Sequence, residues 1–182
     1  MFMRDRLLAV CSALAVGCGA AGAESPDLGR VATPEEIGAW DISIGPDGAG
    51  LPPGSGSARQ GEVVYLEKCL GCHGERGAGK PNDQLAGGQG TLGAGQVPVK
   101  TVGSFWPYAT TLFDYVRRAM PLNAAQSLTP DEVYAVSAYV LFLNGIVTQD
   151  TTLDADTLAK IKMPNREGFV SAYPTPSASA KP

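Results

Sequence analysis

The chain has 182 residues, with 14 basic and 18 acidic side chains and a net charge of −4. That length suits one domain with extensions. The acidic balance argues against nucleic acid or an anionic membrane surface as a partner.

The first residues carry Arg4 and Arg6, followed by an apolar run from Leu7 to about Ala20 and the small-residue pattern Ala21-Gly22-Ala23. This is the layout of a secretory signal cleaved after Ala23. The run is short of the roughly 20 residues that span a bilayer, so no membrane span is expected. A lipoprotein signal with Cys18 acylated is the alternative, because Ala15-Val16-Gly17-Cys18 loosely resembles a lipobox without its large first aliphatic residue. Cleavage leaves 12 basic and 17 acidic residues, a net charge of −5, and removes Cys11 and Cys18, so that Cys69 and Cys72 remain. A periplasmic location follows from export.

Residues 24–56 are rich in Gly, Pro and Asp, with Trp40, Ile42 and Ile44 as their apolar cluster. The alternation around Ile42 and Ile44 predicts a short extended segment, and residues 46–56 read as turns and linker. This stretch is expected to be an arm outside the main domain, either lying along its surface or reserved for a partner. The domain itself is expected over residues 57–145.

Ser57 is a candidate N-cap for a helix running to about Lys68, with an apolar face from Val63, Val64, Tyr65 and Leu66. Gly61 allows another backbone to approach closely. The helix leads directly into Cys69-Leu70-Gly71-Cys72-His73, the C-x-x-C-H pattern of c-type haem attachment. Two thiols separated by two residues on a helical turn can reach both vinyl groups of one haem. The adjacent imidazole then lies under the porphyrin. A zinc site would need four ligands, and two cysteines with one histidine fall short. A redox C-x-x-C would need a thioredoxin-like pattern of strands and crossover helices that is absent here. His73 is the chain's one histidine, which excludes bis-histidine ligation, a second such site, and a histidine general base if His73 holds iron.

Residues 74–103 are glycine-rich and read as a loop wrapping a haem edge, with Leu85 and Leu92 as apolar contacts. A phosphate-cradling role is rejected, because no strand precedes the loop and no Gly-Lys-Ser/Thr follows. Phe105, Trp106, Pro107 and Tyr108 form the densest aromatic cluster. Trp106, Tyr108 and Leu92 are the expected cofactor contacts, the first two bringing a polar atom that could meet a propionate. A helix is expected over residues 110–119, with Leu112, Phe113, Tyr115 and Val116 near its buried face.

Met120 and Met163 remain as candidates for the second axial ligand, a thioether opposite histidine being usual in electron-transfer cytochromes c. Met120 lies 47 residues after His73 and just before a strong helix, where a returning loop would place it. Met163 is the alternative. In that helix Thr129, Pro130 and Glu132 form a capped start. Val133, Val136, Ser137, Val140 and Leu141 repeat on one face, and Asn144-Gly145 ends it. Its face is expected to cross the first helix near Gly61 and Tyr65. Residues 146–173 form a polar extension with two short turns, and residues 174–182 a disordered tail.

The haem motif, glycine-rich loop, Met-Pro and capped final helix resemble a class I cytochrome c, which implies a small all-α fold around one covalent haem c. Further stretches resemble the cytochrome subunits of bacterial sulfur-oxidation dehydrogenases. They are Trp40-Asp41-Ile42, Gly50-Leu51-Pro52-Pro53-Gly54-Ser55-Gly56-Ser57, Gly87-Gly88-Gln89-Gly90-Thr91-Leu92, residues 101–115 and Lys162-Met163-Pro164-Asn165-Arg166. That resemblance implies an electron-transfer subunit rather than an enzyme by itself. Its implied partners are a molybdenum-cofactor dehydrogenase subunit acting on sulfite or sulfane sulfur and a downstream electron acceptor. Some sulfane-oxidising relatives carry two haem domains, so one attachment site leaves the sulfite and sulfane branches both open. A free-standing carrier feeding a terminal oxidase is the competing reading, and a haem enzyme or sensor with an open axial site a third.

Overall fold

The structure, a computed structural model, describes residues 28–93 and 95–173. The expected signal with Cys11 and Cys18, and the tail 174–182, lie outside the described residues. Two compact units divide at Asp41/Ile42.

In the first unit the described part centres on helix α1, Pro34–Trp40. Thr33 and Glu36 close a reciprocal capping box over its first turn, and Arg30 pairs with Glu36. None of its residues is buried, so local capping rather than tertiary packing specifies this helix.

The second unit runs from Ile42. It contains strand β1 (Ser55–Ser57), helix α2 (Ala58–Lys68), the single turn α3 (Leu70–His73) and a 3-10 turn at Glu75–Gly77. Helices α4 (Val102–Phe105), α5 (Ala109–Ala119) and α6 (Pro130–Leu143) follow, then strand β2 (Thr152–Asp154) and helix α7 (Ala155–Leu158). The expected all-α class holds, with one addition. β1 and β2 pair antiparallel, Gly56 opposite Leu153.

Helix α6 is the spine. Thr129 Oγ1 accepts from the Glu132 N–H, while Glu132 Oε2 accepts from the Thr129 N–H at 2.7 Å. The sequence suggests a one-sided apolar stripe, yet every residue from Val133 to Leu141 is buried. The reason is that α2, α5 and β1 cover different sides of it, and a helix enclosed all round must be apolar all round. Across α2, a methyl group at Gly61 would overlap the Ala135 carbonyl, so only glycine permits this crossing. Tyr65 and Tyr139 stack beside it with centroids 5.3 Å apart. On α5, Phe113 meets Tyr134 of α6 at 4.4 Å between ring centroids.

The residues before the boundary expected at residue 57 lie against the domain. Ile44 and Leu51 pack against the core, Tyr134 donates its hydroxyl to the Pro52 carbonyl at 2.9 Å, and the Ser55 N–H donates to Asp131 at 2.8 Å. Residues 42–56 are therefore built into the domain, because α6 offers both apolar surface and side-chain partners to hold them. The Ile42–Ile44 segment forms no strand; the pairing strand is β1. The extension after residue 145 belongs to the same body, since Leu153, Leu158 and Met163 join Phe113 and Leu141 in one buried cluster. Among the described residues, no helix is long and apolar enough to cross a membrane.

Candidate cofactor site

Cys69 ends α2 and begins α3: its N–H donates to the Tyr65 carbonyl, while its carbonyl accepts from the Cys72 and His73 N–H groups at 3.1 and 2.9 Å. Two sulfurs and an imidazole thus project from one tight turn. Gly74 terminates it at φ +72°, a left-handed conformation suited to glycine. Its carbonyl accepts the Tyr65 hydroxyl at 2.7 Å. The following loop curls back, with the Gly79 N–H donating to the His73 carbonyl at 2.7 Å and the Asn82 N–H to the Cys72 carbonyl at 2.9 Å. This return brings the Asp83 carbonyl within 2.8 Å of His73 Nδ1. A carbonyl can only accept, so Nδ1 carries the proton and Nε2 keeps its lone pair for a metal.

A cavity of about 550 Å³ opens beside this turn, within the range of cofactor sites. Cys69, Cys72 and His73 line one part of it, Leu112, Val116 and Met120 another. Val136 and Val140 of α6 and Leu85 and Val102 from the loop add apolar wall. Burial pushes the Cys69 thiol up to about 11, and the neighbouring Cys72 adds to this, which disfavours a thiolate ligand set. Among the described residues no three His, Cys, Asp or Glu side chains converge as a metal cluster. One imidazole, one thioether and two thiols around an apolar cavity fit an iron whose remaining ligands come from a porphyrin.

Trp106 lines the cavity, its ring edge-on to Tyr115 at 5.7 Å. Tyr108 and Leu92, expected as cofactor contacts, are not among the lining residues. Tyr108 bridges to Lys162 and lies under the Arg166 guanidinium at 4.1 Å, so the C-terminal segment claims it. Leu92 sits on an exposed turn. The two methionines separate: Met120 borders the cavity, whereas Met163 is 1% exposed in the core and does not. Residue reading overlooked Asp83, which acts through its backbone carbonyl and so carries no side-chain signal. It also left Val136 and Val140 as ordinary helix-packing residues, although their periodicity already put them on one face.

Residues 56–140 match the family described as cytochrome c oxidase, cbb3-type, subunit III. Among solved structures, the chain is similar to one in the crystal structure of the sulfane dehydrogenase SoxCD from Paracoccus pantotrophus. It shares 45% identity and a TM-score of 0.74, over 82% of this chain and 72% of that one. No curated protein matches. The chain belongs to the class I cytochromes c, related to a subunit of the sulfur-oxidation enzymes, and is an electron-transfer protein with covalent haem c.

Proposed function

We propose that this protein is the monohaem subunit that accepts electrons from a periplasmic molybdenum-cofactor dehydrogenase oxidising sulfite or sulfane sulfur, and passes them to a downstream acceptor. In this reading Cys69 and Cys72 form the two thioethers, with His73 and Met120 as axial ligands. The observation that carries it is the convergence of those four side chains on one apolar cavity, in a chain 45% identical to one in a sulfane dehydrogenase.

Haem, when bound, supplies an iron that gains and loses one electron. The chain's own residues do the rest. The Asp83 carbonyl holds the His73 ring in one tautomer and strengthens it as a donor. His73 and Met120 would both be engaged in holding the haem iron, which would leave it no open site for substrate. Leu85, Val102, Val136 and Val140 give the cavity apolar wall, which would keep water from the haem and limit rearrangement when its charge changes. Conversion of substrate therefore falls to the partner.

Purification of the tagged protein from periplasm tests this. The expected result is a stoichiometric partner containing molybdenum and a cytochrome reduced by sulfite or by a sulfane donor. Recovery of the cytochrome alone, unreduced by either, would identify a free-standing carrier instead. Rapid binding of carbon monoxide by the reduced wild-type protein at neutral pH would overturn the closed coordination.

A further inference from the structure

Asn144, at the C-terminal end of α6, is 8% exposed and uses its whole amide. Its Nδ2 donates to the Leu85 carbonyl at 3.1 Å and to the Val140 carbonyl at 2.8 Å. Its Oδ1 accepts from the Gly87 N–H at 3.0 Å and from Gln89 Nε2 at 3.2 Å. Gln89 Nε2 also reaches the Asn144 carbonyl at 3.1 Å. Reversing the amide would set NH2 against an N–H and oxygen against two carbonyls, so one orientation alone satisfies all partners. The α4 backbone also packs directly on it, since a methyl group at Gly103 would overlap this amide. The same loop is held further along by Thr101, whose hydroxyl donates to the Gly87 carbonyl at 2.6 Å.

The gripped segment is the one that reaches the axial histidine. Leu85 lies two residues after Asp83, whose carbonyl accepts from His73 Nδ1 at 2.8 Å. Just beyond Asp83 the chain is pinned again, with the Leu85 and Ala86 N–H groups donating to the Gly77 carbonyl at 2.8 and 3.2 Å. Gln84 and Leu85 also line the cofactor cavity. We propose that Asn144 is a positioning residue for electron transfer: by anchoring Leu85 and Gly87 to the end of α6, it holds the Asp83 carbonyl on His73 and sets the donor strength of that imidazole. This rests on the axial role proposed for His73. Nothing in Asn144 touches the cavity; it acts through the loop backbone, and a buried amide satisfied on both sides is costly to replace.

His73 is the chain's one histidine, so 15N-histidine labelling of the reduced haem protein isolates a single imidazole. In Asn144→Ala and Asn144→Asp, the latter keeping an acceptor but losing both Nδ2 donors, exchange of the Nδ1 proton with solvent is expected to accelerate about tenfold. The reduction potential is expected to rise, because a weaker Nδ1–H···O bond makes His73 a poorer donor to ferric iron. Tyr134→Phe is the control: it removes the hydroxyl bond to Pro52 elsewhere on α6, and should lower thermal stability while leaving proton and potential unchanged. Should Asn144→Ala fail to accumulate, Gln89→Ala removes one brace and should accelerate exchange by about twofold or more. Wild-type exchange and potential in the Asn144→Asp variant, or equal acceleration in Tyr134→Phe, would overturn the brace alone. Absence, in the wild type, of the upfield ring-current displacement of the His73 ring carbon protons would overturn the axial assignment beneath it.

Discussion

On the attachment side of the cavity, Cys69, Cys72 and His73 sit in a turn whose backbone is bonded almost atom by atom to α2 and to the returning loop, with Tyr65 and Asp83 closing it. On the methionine side, Met120 ends α5 through one N–H to the Val116 carbonyl. It then enters a stretch held by isolated turns, Ala124 N–H to Pro121 and Ser127 N–H to Ala124, with Leu122 74% exposed. One side is over-determined and the other lightly tethered. The difference suits the proposed ligation: two covalent attachments would need sulfurs placed together, whereas a long, flexible thioether can adapt to a loosely held loop.

That contrast can be broken most severely at the cysteines. Cys69→Ala with Cys72→Ala is expected to abolish haem that survives denaturation, read by haem staining of a denaturing gel; retained staining would refute the attachment assignment. The methionines sharpen it next. Met163→Ala should cost about 2–5 kcal/mol in denaturant unfolding, as a buried large-to-small change, with the visible spectrum unaltered. Met120→Ala should lose the red-region absorption and bind carbon monoxide when reduced, while the attachment side keeps its haem. The reverse pattern would exchange their roles.

Gly61→Val probes the crossing that delivers α2 to the attachment turn. Overlap with the Ala135 carbonyl should cost about 3 kcal/mol in urea unfolding, far more than a valine at an exposed helix position. On the lighter side, Thr129→Ala removes the cap where the methionine loop meets α6, for a loss of about 1 kcal/mol by the same measurement.

The smallest effect lies outside both sides. Asp154 begins α7 by accepting from Thr157 Oγ1 at 2.7 Å and from the Thr157 and Asp156 N–H groups. These bonds hold its carboxyl below the ordinary 3.8, the Thr157 hydroxyl contributing most. A lowered folded value means that the stabilisation is complete above about pH 4 and fades as pH falls through that value. Comparing urea midpoints of wild type and Asp154→Asn from pH 6 to 3 should show the two curves converging at the acid end. Parallel curves would refute the linkage.

Much of the fold was legible because its signals are local. Ser57, Thr129, Pro130 and Glu132 mark helix starts through bonds within one turn, and Cys69 to His73 carry their chemistry in their spacing. The packing of the stretch before residue 57 had no such signal, since Ile44, Leu51 and Pro52 join the core only through contacts distant in sequence. Tyr108 was equally illegible: an aromatic beside Trp106 in sequence lies under Arg166 and bridges to Lys162, in a segment more than fifty residues away.

By itself the sequence determined the attachment turn, the helix caps, the single histidine and the two methionines eligible to oppose it. Tertiary structure alone decided that Met120 borders the cavity while Met163 is spent in the core, that Asp83 meets His73, and that Asn144 grips the loop just beyond Asp83. Those choices depend on backbone groups and on residues brought together across 10 to 60 positions of chain. Backbone N–H and carbonyl groups are the same in every residue, so only the folded path says which of them meet.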